Sequence, residues 1–241
     1  MGKEIKAFVV DSKVYDDGDR GLGEWVSFPI RKEEMKYVYN RIGIEGTYFK
    51  EVFLDDFKTD VAGLINVLNV YADIDELNYL ALWLSELPTS ELVKLDAIAE
   101  TDPFKDIRSF IDFVPNKDCY VLVRGVGNTE DLGNYYLYKS GMVQMPEEWK
   151  AGIDPKEFGS HIQKKELGKF TKVGYLIDSG DTWTNHYKGK GDIDENFLIS
   201  PKAVFKPAEK GKYSVIKQLG KTKEQIDKPL NPIHKKSDIE R

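Results

Sequence analysis

One cysteine, Cys119, stands in 241 residues. That excludes an intramolecular disulfide and fits a reducing compartment. Long apolar runs are also missing. Nowhere do 18 apolar residues stand together, and the opening MGKEIKAFVVDSK carries only a short apolar run that Asp11 ends. These lengths exclude a membrane-spanning helix and a secretory signal, so the chain is expected to be cytoplasmic. The only histidines are His161, His186 and His234, none in a ligand spacing. Gly18–Gly23 has the wrong glycine spacing for either nucleotide fingerprint, lies among acids and leads into a strand-like Glu24-Trp25-Val26. A plain turn is the better reading. Asp73-x-Asp75 and Asp192-x-Asp194 lack the remaining ligands and the glycine of a calcium loop. No serine nucleophile elbow occurs. No metal, no cofactor and no catalytic residue is expected, and the chain does not read as an enzyme.

Positive charge is scarce in the middle of the chain. Residues 59–93 contain no lysine or arginine, yet hold Asp60, Asp73, Asp75, Glu76, Glu86 and Glu91. Over residues 51–131 there are 17 acids against 6 bases, and Asp55, Asp56, Asp96, Glu100, Asp102, Asp106 and Asp112 extend the acidic run. Residues 1–200 hold 36 acids and 24 bases, whereas 201–241 hold 5 acids and 11 bases. A modest net charge of −6 therefore joins an acidic body to a basic tail. Such a body makes a field that a partner of opposite charge can read.

Apolar residues make up 41% of the chain, with 13 Tyr, 12 Phe and 4 Trp, enough for real cores. The pattern predicts an α+β chain in three sections. In residues 1–58, Ile5–Val10, Glu24–Phe28 and Tyr48–Leu54 read as strands. Between them Met35, Val38, Tyr39 and Ile42 form one helical stripe that Gly43 ends. Residues 59–116 read as an acidic helical bundle. Asp73 caps a helix carrying Leu77, Leu80, Ala81 and Leu84; Thr89 or Ser90 caps the next; Pro103 opens a third with Ile107, Phe110, Ile111 and Val114. The apolar stripes leave the carboxylates for solvent. Residues 117–200 form a second α+β part, with Cys119 and Tyr120–Val123 in a strand and helices capped at Asn128 or Thr129 and at Asp154. Val173–Ile177 and Thr182–Tyr187 read as a hairpin through Asp178-Ser179-Gly180-Asp181. Residues 201–241 form a basic extension with little period.

Several separated segments, in order, resemble the ArdA-type antirestriction proteins of mobile elements and phages. They are Gly23-Glu24-Trp25-Val26, Arg41-Ile42-Gly43, Glu76–Ala81, Glu130-Asp131-Leu132-Gly133-Asn134-Tyr135-Tyr136, Phe158-Gly159 and Gly168–Leu176, within residues 4–178. The resemblance implies an elongated, three-part homodimer acting in a bacterial host. Its carboxylates would stand in for DNA phosphates and block the DNA-binding cleft of type I restriction-modification enzymes, at their recognition and methylation core. About 20 base pairs present roughly 40 phosphates, against 36 carboxylates in each copy of residues 1–200. The acidic body itself is not expected to bind nucleic acid. The alternative is a mobile-element regulatory protein whose acidic face binds another nucleic-acid-handling complex; a third reading is a hydrolase or nucleotide-binding enzyme. Leu132, Gly133, Tyr135, Tyr136 and Tyr138 are candidates for a dimer or target contact, or for ordinary helix packing. The basic tail either contacts DNA, a second subunit or the target, or is a solvated extension.

Overall fold

The structure, a computed structural model, describes residues 3–11, 23–44 and 52–201. The chain divides into two units, Met1–Ala203 and Val204–Arg241, and every described residue belongs to the first. The fold class is α+β.

Strand β1 (Ile5–Asp11) alternates inward and outward, with Ile5, Ala7 and Val9 buried. It lies between β2 (Gly23–Phe28) and β3 (Val52–Thr59), antiparallel to both, with a bulge at Phe8/Val9 opposite β3. Helix α1 (Lys32–Arg41) packs by the expected stripe: Met35, Val38, Tyr39 and Ile42 are all buried. Gly43 takes φ +86°, a conformation that costs glycine little and ends the helix there. Residues 48–51 of the expected third strand and most of the Gly18–Gly23 turn lie outside the described residues.

Helix α2 (Ile74–Glu86) starts as expected, the Asp73 side chain accepting the N–H groups of Asp75 and Glu76. Two other starts need correction. Helix α3 (Thr89–Thr101) follows Pro88 with no side-chain cap from Thr89 or Ser90. Helix α4 (Ile107–Asn116) does not open at Pro103. Asp106 and Ser109 form a reciprocal capping box that starts it, while Phe104 packs on Phe110 with centroids 4.2 Å apart.

Further along the chain β6 (Gly174–Asp178) lies between β4 (Tyr120–Arg124) and β5 (Lys169–Thr171), antiparallel to both. Cys119 closes a 3-10 turn before β4 rather than lying in the strand. The expected hairpin between Val173–Ile177 and Thr182–Tyr187 is absent. Both edges of β6 are already paired, so residues 182–187 have no edge to join, and residues 182–200 run on as a strap without strand structure, broken by a 3-10 turn at Lys190–Asp192. Helix α5 (Thr129–Asn134), capped by Asn128, continues through a π-helical turn at Tyr135–Lys139. The short α6 (Glu147–Lys150) follows, and then α7 (Pro155–Glu166), capped by Asp154. Helices α5 and α7 cross so closely that a Cβ at Gly133 would overlap the Pro155 carbonyl, and one at Gly159 the Thr129 carbonyl.

One apolar cluster runs from Ile5 through α1 to α4 and ends at Tyr187, Ile193 and Ile199 of the strap. A smaller one gathers Val126, Leu132, Tyr136 and Tyr175. Among the described residues no helix is long and apolar enough to cross a membrane.

Candidate functional site

The acidic residues separate into outward and inward groups. Asp56, Asp60, Glu86, Glu100, Asp102 and Asp106 are exposed, and Asp55, Asp73, Glu91 and Asp96 are half-buried. Some of these already have partners. Asp96 pairs with Lys3 at 2.8 Å, Glu91 with Lys94 at 2.9 Å, and Asp60 accepts the Glu4 N–H at 2.6 Å. Glu86 and Asp102 have none among the described residues.

Three carboxylates expected at the surface are instead inside: Asp75 (0% exposed), Asp112 (4%) and Glu76 (8%). The strap is the reason. Asp75 Oδ1 accepts the backbone N–H of Ile199 at 2.5 Å and of Ser200 at 2.7 Å, and its Oδ2 meets the Lys190 ammonium. Asp112 Oδ1 accepts the N–H groups of His186 and Tyr187, each at 2.8 Å. Glu76 accepts the Tyr187 hydroxyl at 3.0 Å, and the Tyr39 hydroxyl donates to the Ile199 carbonyl. Asn116 adds a donor to the Thr184 carbonyl and an acceptor for its N–H. An irregular segment has no ladder to satisfy its backbone, so side chains of α2 and α4 do so.

These contacts set the local electrostatics. Burial alone would raise the Asp75 carboxyl. Lys190, Ser200 and the Ile199 N–H outweigh it and hold the group below the usual carboxylate range. Lys190 is pushed the other way by Asp75 and Asp73, against its own burial. Burial, followed by the negative charge of Glu76, raises the Tyr187 phenol. Lys190 thus places a positive charge against Asp73 and Asp75, within the span that lacks bases of its own.

Sequence reasoning missed the strap because Thr182–Tyr187 reads as a strand, and residues 188–200 carry no local sign of the helices that receive them. A signal was present at the receiving end. Asp112 interrupts Phe110-Ile111 and Phe113-Val114, and a carboxylate inside an apolar run needs partners brought to it.

Of the residues expected at a dimer or target contact, Leu132, Gly133 and Tyr136 are buried inside the unit, Tyr135 is half-buried and Tyr138 is exposed. The Tyr136 hydroxyl donates to Glu166 at 2.5 Å. Met142 and Trp149 are exposed near Tyr138 in sequence, and the Lys150 ammonium lies 5.8 Å from the Tyr138 ring. Among the described residues no cluster of histidine, cysteine and carboxylate side chains could hold a metal ion. His234 and the basic extension from residue 202 onward lie outside them.

No curated protein sequence matches the chain. The family model described as antirestriction protein (ArdA) matches residues 7–177, from β1 to the end of β6. The strap lies beyond that match. With well over half of the chain covered, the protein belongs to the ArdA family of antirestriction proteins.

Proposed function

We propose that the protein mimics B-DNA and competes for the DNA-binding cleft of a type I restriction-modification enzyme, at its recognition and methylation core. The observation that carries this reading is the outward set Asp56, Asp60, Glu86, Glu100, Asp102 and Asp106, all but Asp56 within residues 59–116, which are rich in acids and poor in bases. Exposed carboxylates offer a basic cleft what phosphates offer it, fixed negative charge that basic side chains meet. The mode is occupancy without turnover, in the cytoplasm of a bacterial host. The sections 1–58 and 117–200 flank the acidic helices at 59–116 in this reading.

Because water and salt screen exposed charges, each is worth up to about 1 kcal/mol. Glu86→Gln alone then weakens binding about fivefold or less. Replacing all six outward carboxylates by their amides should cost several kcal/mol and flatten the salt dependence. The test is a competition titration against a DNA duplex on the methylase core at two salt concentrations. A folded six-fold variant that competes as well as the parent at both would sink the reading.

The protein is further proposed to be a two-fold dimer through its third section, the commonest closed assembly. Exposed Tyr138, Met142 and Trp149 support this, whereas Leu132, Gly133 and Tyr136 are spent on internal packing. Sedimentation at micromolar concentration should show the dimer; a monomer alone would reject it.

A further inference from the structure

A cavity of about 570 Å³ opens where the α3–α4 connection, α4, β4 and the strap meet. Phe104, Tyr120, Trp183 and Tyr187 supply aromatic surface to it, with Tyr120 and Trp183 meeting edge to face at 6.3 Å between centroids. Asp102, Asp106 and Asp112 supply its carboxylates. Asp112 has spent Oδ1 on the strap backbone, and among the described residues no hydrogen bond reaches its Oδ2. Two bases also line the cavity, Lys105 and Arg108. Arg108 lies 3.7 Å from Glu76, which is where its charge is answered. Lys105 is exposed.

We propose that this cavity receives an arginine side chain from the DNA-binding surface of the restriction enzyme. The inference rests on the DNA-mimic reading and adds a discrete subsite to it. A planar guanidinium stacks on aromatic faces and forks onto carboxylates, so it uses both kinds of wall. A lysine ammonium is a compact, strongly hydrated point charge and gains less from aromatic surface. Asp112, sheltered from water, attracts such a charge more strongly than an exposed carboxylate does. An arginine that ordinarily meets phosphate would here find a partner with stacking added. Trp183 comes from the strap, beyond the family match, so the subsite is a property of this chain.

The test has two parts, both on the full chain. The first titrates N-acetyl-argininamide while following the Trp183 indole N–H by NMR, assigned by its loss in Trp183→Phe. N-acetyl-citrullinamide, nearly the same shape without the charge, is the control. A saturable shift with the arginine compound alone is expected; no shift, or equal shifts from both, overturns the subsite. The second part compares inhibition by Asp102→Asn/Asp106→Asn with Asp56→Asn/Glu86→Gln, two pairs of equal charge change. Asparagine keeps the helix cap at position 106. The cavity pair should lose about tenfold more than the other pair, whose loss stays within about fivefold per exposed charge. Equal losses would remove the subsite and leave charge mimicry standing. Undiminished inhibition by both pairs would remove the subsite and count against mimicry too.

Discussion

Asp75 shows how a side chain that reads as surface charge can serve as a clamp. Its neighbours Ile74 and Leu77 are apolar, and Asp73 already caps the helix, so a second acid in the first turn looks like solvated decoration. Its burial is legible only through the strap, whose Ile199 and Ser200 lie more than a hundred residues away in sequence. Asp75→Ala strands two strap N–H donors and should cost about 3 kcal/mol of unfolding free energy in chemical denaturation. The pH dependence follows from the lowered carboxyl. Depression below the unfolded value near 3.9 means the stabilisation is complete above about pH 4. It is lost as pH falls through the lower folded value. Asp75→Asn should therefore narrow the difference in stability between neutral and strongly acid solution. An unchanged difference would show that the clamp does not titrate as argued.

At the scale of elements, local signals were read well where one element supplied its own pattern. The stripe Met35, Val38, Tyr39 and Ile42 and the Asp73 and Asp154 caps needed nothing from elsewhere. The start of α4 misled because Pro103 is a familiar helix opener, whereas Asp106 and Ser109 provide the donors and acceptors that the helix end requires. The hairpin after β6 failed for a topological reason. Two β-like runs around Asp178–Asp181 fit a hairpin, but β4, some 50 residues earlier, already holds the edge. The crossing of α5 and α7 depends on two missing side chains. Gly159→Ala drives a methyl into the Thr129 carbonyl and should destabilise by about 3 kcal/mol, since neither backbone can move without opening the small apolar cluster. Thermal unfolding checks this; a variant as stable as the parent would mean the helices separate freely.

The whole molecule is closed by a segment that the family match does not reach. Truncation after Asp181 removes Tyr187, Ile193 and Ile199 from the main core and leaves Asp75 and Asp112 buried without partners. Such a chain should lose cooperative thermal unfolding, whereas one ending at Pro201 should keep it together with most of its inhibition. Retained cooperativity in the shorter chain would reduce the strap to a surface ornament. The same closure has a consequence during synthesis. Tyr39 waits for Ile199, 160 residues downstream, before its hydroxyl is bonded. At roughly 5–20 residues per second, that interval lasts about 8 to 30 seconds on the ribosome. Until then the helices carry unclamped acids and an open apolar face. A newly made chain is thus exposed to proteases and chaperones for longer than its local helices would suggest, and an interrupted transcript yields a product destined for degradation rather than a weaker inhibitor.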